Sequence, residues 1–217
     1  MHSRWRFIPG LDQFGALLCL LLLSFLLAGL SGLAWPTLVG ALANIAAVVA
    51  GFSATGLRDD RVRTGIFMSL AVIGFVLIGI FESTSIGGGI GASLQALALG
   101  AILGALVRRV LQHDSVTIAT LMGVISAYVL IGLIFAWVYY ALIGFRPAPV
   151  LDPPDTDLPV YFSFVVLSTL GFGDISPVDE LAQRITALEA ITGQIFLATV
   201  VARFVSMYGQ DRPRGSR

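Results

Sequence analysis

Lysine is absent from this 217-residue chain, and all thirteen basic residues are arginine. Charge of either sign is scarce, at 12% of residues. A soluble domain carries about 25%, so an ordinary soluble fold is excluded. The arginine-only usage fits a GC-rich genome better than any function. Net charge is zero, and no nucleic-acid partner is expected. Cysteine occurs once, at Cys19, so no intrachain disulfide is possible and the redox compartment is unreadable. The only asparagine, Asn44, stands outside a glycosylation sequon. What the chain has instead is apolar sequence. It is 57% hydrophobic, with a mean hydropathy of +0.91. It reads as an all-α integral membrane protein.

Six apolar stretches are each near the roughly 20 residues needed to cross a bilayer. They cover about residues 14–33, 37–55, 65–82, 92–107, 121–144 and 181–208. The first follows Arg4 and Arg6, as the core of a signal peptide would. Its apolar run is longer than the usual 7–15 residues, and no clear A-x-A site follows, so it is expected to stay as a helix. Trp35-Pro36 makes the next turn, with the indole at the interface. Arg58–Arg63 is the densest charge cluster, and Ser83–Gly91 reads as a glycine-rich turn. Residues 1–110 form a four-helix domain, 111–120 a polar connector with Ser115 as a candidate cap, and 121–208 a second domain. The tail, 209–217, is too short for a ligand-binding domain, and no soluble ligand domain is expected.

Arginine placement orients the chain. With the N-terminus cytoplasmic, eleven arginines fall on inner segments, and only Arg146 and Arg184 fall outside. The positive-inside rule therefore favours cytoplasmic termini. The composition and short loops suggest a prokaryotic inner membrane.

One stretch is out of place between two spans: Ser168-Thr169-Leu170-Gly171-Phe172-Gly173-Asp174. A short apolar segment, 158–167, precedes it, opened by Asp157 as a helix cap and Pro159 in the first turn. Glycines adopt backbone angles other residues avoid, so successive carbonyls can point the same way. Four such strands around an axis stack rings of oxygens that replace water around a dehydrated cation. The Thr169 hydroxyl adds one more ring.

These residues resemble the pore module of the tetrameric potassium channel family. S-T-L-G-F-G-D stands against that family's T-V-G-Y-G-D, and Asp174-Ile175-Ser176-Pro177 continues the pattern. The resemblance is to short prokaryotic six-helix members. It implies a homotetramer in a lipid bilayer, each chain adding a four-helix sensor-like bundle to a two-helix pore module. That module has an outer helix at 121–144, a re-entrant pore helix at 158–167, a filter at 169–174 and an inner helix at 181–208. K+ is then bound by Thr169, Leu170, Gly171, Phe172 and Gly173, with Asp174 at the filter mouth. Gly193 is the expected hinge, against close packing as the plainer reading. Gln194, Leu197 and Val201 share a face expected to line the cavity.

The departures from the family pattern concern the filter's support. Phe172 lacks the tyrosine hydroxyl, Tyr161-Phe162 replaces a frequent Trp-Trp pair, and Val165 stands where a carboxylate sometimes sits. A less hydrogen-bonded collar follows. Glu189, inside a span, is a functional candidate by default. It is expected either to support the pore helix through Ser168 or Thr192, or to be solvated. Asp152 and Asp155 read as solvated loop residues. The fourth span has no charge from Ala92 to Val107, so it lacks the arginines of a voltage sensor. Gly100 and Gly104 suggest helix packing.

Other readings carry less. A less selective cation channel keeps the same architecture. Gly171-x-Gly173-Asp174 also resembles the G-x-G-D of intramembrane aspartyl proteases, but no second aspartate lies within a span to share its proton. No enzyme activity is expected. Gly87-x-Gly89-x-x-Ala92 mimics a dinucleotide fingerprint without its preceding strand. A non-conducting membrane scaffold leaves the Thr169 pattern unexplained.

Overall fold

The computed structural model describes residues 18, 19, 22, 86–111, 118–154 and 158–208. The expected spans over 37–55 and 65–82, nearly all of 14–33, Ser115, Asp155, Asp157 and the tail lie outside the described residues.

Four helices of nine residues or more carry the described fold: α1 (Ile86–Leu111), α2 (Ile118–Phe145), α3 (Pro159–Leu167) and α4 (Glu180–Tyr208). Two-residue strands β1 (Leu151–Asp152) and β2 (Ser176–Pro177) pair antiparallel, Leu151 opposite Pro177 and Asp152 opposite Ser176. This small ladder is an addition to the all-α expectation. Helices α1, α2 and α4 are long and apolar enough to cross a membrane. At nine residues, α3 reaches only about 13 Å, far short of a hydrocarbon core of about 30 Å.

Helix α1 begins well before Ala92, so residues 86–91 are helical and not a turn. Glycine is a poor helix former, losing about 1 kcal/mol to alanine, which is why Gly87-Gly88-Gly89 reads as a break. Packing overrides that preference. A methyl group on Gly89 would meet the Phe145 ring at 3.0 Å and the Ala141 carbonyl at 3.1 Å. The glycine lets the start of α1 lie against the end of α2. Further along, Ala98, Leu99, Ile102 and Leu106 pack on Ala127, Val129, Leu130 and Leu133. Gly100 and Gly104 do not take part in this α1–α2 contact: among the described residues, nothing lies within 4 Å of a Cβ on either. Helix α2 starts at Ile118, inside the expected connector, because Ile118-Ala119-Thr120 continues the apolar run.

A second core joins α2 to the later elements. It holds Tyr139, Leu142, Val150, Leu151, Phe162, Ile175 and Ala182. The loop after α2 is closed by backbone bonds, with Val150 O accepting from Val178 N at 3.0 Å and Asp179 N at 3.4 Å. Asp179 caps α4, its Oδ1 accepting from Leu181 N at 2.9 Å and Ala182 N at 3.1 Å. Its other oxygen lies 3.4 Å from Arg146 Nη1.

Candidate functional site

The site is built where α3 ends. Its last carbonyls need partners, and the returning chain supplies them. Thr169 N donates to Val166 O at 2.9 Å, and Leu170 N to Val165 O at 3.0 Å. These two bonds make a Schellman ending with Thr169 in the left-handed position usually held by glycine. Its φ is 58°. A β-branched residue there is a genuine outlier, and such strain, of about 1–3 kcal/mol, persists only where the surroundings enforce it.

The strand beyond alternates in hand. Gly171 and Gly173 have φ of 56° and 77°. Leu170 and Phe172, between them, do not have positive φ. In an extended strand successive carbonyls point to opposite sides. Reversing the hand of every second residue brings them to one side, which is the geometry a row of cation-binding oxygens needs. Residues 169–174 are all exposed in the single chain.

The strand runs back along α3. Tyr161, in the first turn of α3, donates its hydroxyl to Asp174 Oδ2 at 2.7 Å. The Asp174 Oδ1 accepts from Ile175 N at 3.1 Å. The collar is therefore tied by a phenol even though Phe172 carries no hydroxyl. Phe162 is buried and meets the Tyr139 ring edge to face, centroids 5.1 Å apart. The first residue before α3 is Leu158, which makes no side-chain cap. Pro159 sits at the first helical position as expected.

Helix α2 supports α3 along one face. Tyr128, Gly132 and Tyr139 recur near helical spacing. Tyr128 donates to Leu167 O at 3.2 Å, and Ser163 Oγ to Gly132 O at 2.7 Å. A methyl group on Gly132 would sit 2.8 Å from the Phe164 ring. From the other side α4 approaches at Gly193, where an added Cβ would collide with the Leu167 carbonyl. The close-packing reading of Gly193 thus has a direct physical basis.

Glu189 is completely buried between these helices. It meets Ser163 Oγ through Oε1 and accepts from the Tyr139 hydroxyl at 2.8 Å through Oε2. This corrects the expected partners. Ser168 and Thr192 bond their own helix, to Phe164 O at 2.6 Å and Leu188 O at 2.8 Å. Burial also replaces the solvated alternative. Gln194, Leu197 and Val201 lie apart from this cluster, on an exposed part of α4. Tyr128, Tyr139 and Ser163 were not singled out from the sequence. The available signal was two tyrosines eleven residues apart inside one apolar span, whose hydroxyls need partners when buried.

No curated protein and no solved structure matches the chain. Residues 127–210, which contain most of α2 and all of α3, the alternating strand and α4, match the family model described as "Ion channel". That match and the three long apolar helices support an integral membrane protein with an ion-channel pore region.

Proposed function

We propose that four copies of this chain form a potassium-selective channel, with K+ moving passively through a filter built from Thr169 to Gly173. The carrying observation is the alternation of backbone hand at Thr169, Gly171 and Gly173. The carbonyls of Thr169, Leu170, Gly171 and Phe172, with the Thr169 hydroxyl, are the oxygens assigned to the ion. Asp174 stands at the mouth, and its bond to Tyr161 holds it there.

The exposure of the strand supports an assembly. Non-helical backbone at membrane depth is tolerated only when buried in protein or lining water. One chain supplies one strand, so a closed ring needs rotational symmetry. Helix α4 is the least buried of the three long apolar helices, with Leu188, Ile191, Ile195, Leu197 and Val201 exposed. These side chains are available to neighbouring copies and to the inner cavity. Gly193 is assigned as a bending point as well as a packing contact. Gating by voltage through α1 is not part of the proposal, since its span carries no charge from Ala92 to Val107.

The test is ion flux into liposomes holding the purified chain, potassium against sodium, with Gly173→Asp as control. Potassium flux that the control loses supports the proposal. Equal sodium and potassium flux replaces it with a non-selective cation channel. Absence of flux from an intact tetramer, with the gate opened by no condition tried, favours a membrane scaffold.

A further inference from the structure

We infer that Glu189 carries a proton in the folded chain, and that as a neutral acid it is the positioning residue that locks α3 between α2 and α4. Hydrogens are in short supply around this carboxyl. Ser163 Oγ has one hydrogen and lies against two oxygens: the Gly132 carbonyl at 2.7 Å and Glu189 Oε1. A carbonyl can only accept. If the carboxyl is ionised, both neighbours of Ser163 are pure acceptors, and one close oxygen pair has no hydrogen between its members. A proton on Oε1 fills that pair. Glu189 then donates to Ser163, and Ser163 donates to Gly132.

The other oxygen meets the same shortage: Oε2, Tyr139, Thr186 and Ala182 O make three close pairs with two hydrogens, which the same proton would fill from Oε2 instead. Oε2 accepts from Tyr139, whose hydroxyl also lies 3.0 Å from Thr186 Oγ1. Thr186 in turn reaches Ala182 O at 2.8 Å. The chain of bonds thus runs from Gly132 and Tyr139 on α2, through Ser163 on α3, to Glu189 on α4. Burial points the same way. Glu189 is fully enclosed, and among the described residues no arginine pairs with it. An ionised carboxylate left unpaired in such a place is costly, and neutralising it is the usual resolution. The titratable groups facing it are phenols on α2, Tyr139 in contact and Tyr128 within electrostatic reach. Neither supplies a positive charge.

The role in conduction rests on the proposed channel reading, because Ser163 lies on the helix whose end shapes the filter strand. The protonation state does not rest on it. Infrared spectra of the purified chain in lipid test the proton directly. The expected result is a carbonyl band of a protonated carboxyl at neutral pH, shifted by carbon-13 labelling of glutamate and missing from Glu189→Gln. The chain has three glutamates, Glu82, Glu180 and Glu189, so a Glu180→Gln background narrows the assignment without touching the cluster. Absence of any glutamate-derived protonated band in the wild-type chain overturns the inference, whether or not the variant folds.

Liposome flux tests the positioning role. Glutamine can donate to Ser163 and accept from Tyr139, so Glu189→Gln is expected to keep flux near wild type. Glu189→Ala loses both bonds, with about a tenfold or greater loss of flux expected. Glutamine failing as badly as alanine overturns the neutral-acid role. A protonated band in an intact tetramer that shows no flux under any condition tried would count against the channel reading and leave the proton assignment standing.

Discussion

Gly193 lies so close to the Leu167 carbonyl that a side chain on it would begin inside the van der Waals reach of that oxygen. The contact joins α4 to the last residue of α3, immediately before the alternating strand. The same carbonyl accepts a hydrogen bond from Tyr128 on α2. Three helices therefore meet at one backbone atom.

Gly193→Ala should force backbone apart, since the opposing atom is a carbonyl and not a flexible side-chain end. Overpacking of this kind costs about 1–3 kcal/mol. The expected outcome is a lower melting temperature in detergent together with disturbed ion flux. A variant as stable as wild type but altered only in opening would show that bending, and not contact, is the glycine's role.

Gly132 and Gly100 should separate cleanly. At Gly132 a methyl group meets the Phe164 ring at 2.8 Å, while at Gly100 it meets none of the described residues within 4 Å. Gly132→Ala is expected to destabilise, and Gly100→Ala to be neutral or to gain up to about 1 kcal/mol from helix propensity. Thermal unfolding of the two variants side by side checks the order.

Thr169→Gly should uncouple stability from ion discrimination. Glycine takes a φ of 58° without steric cost. Relief of the strain stabilises the α3 ending by about 1 kcal/mol. The same change deletes the hydroxyl oxygen assigned to the ion. Higher thermal stability with weaker preference for potassium over sodium is the expected pair of results, read from unfolding and flux on one preparation.

Asp179 should matter more as a cap than as a charge. Its Oδ1 holds two backbone N–H groups of α4, while Arg146 reaches the other oxygen at 3.4 Å. Loss of an N-cap costs about 0.5–2 kcal/mol, and a partly exposed ion pair contributes about 0–1 kcal/mol. Asp179→Ala is thus expected to destabilise more than Arg146→Ala, with Asp179→Asn close to the latter. Hydrogen exchange in the first turn of α4 gives the most local readout.

The long apolar runs at 121–144 and 181–208 could be read from sequence because burial in lipid imposes length and composition on every position. The glycine-rich strand after residue 168 could be read for a related reason: few other roles place Thr-x-Gly-x-Gly-Asp between apolar segments. The supports could not. Gly89 and Gly193 are set by the shape of a neighbour far away in sequence, Phe145 in one case and Leu167 in the other. Glu189 announced itself as an ionisable residue in a span. Its partners, Ser163 and Tyr139, are 26 and 50 residues away. Hydrogen-bond pairing over such distances depends on helix placement, which local pattern does not encode. The start of α1 escapes the sequence pattern because propensity ranks three glycines as a break and takes no account of what they pack against.

The two ends of the alternating strand are tied within a single chain, one by Tyr128 and Gly193 at Leu167, the other by Tyr161 and the β1–β2 pairing. A loop so closed has already lost most of its freedom before any neighbour arrives. Ordering a backbone residue costs about 1–2 kcal/mol. That entropy is spent during folding of each chain and does not weigh on association. In the proposed assembly, copies of this chain would therefore dock through edges that are already shaped.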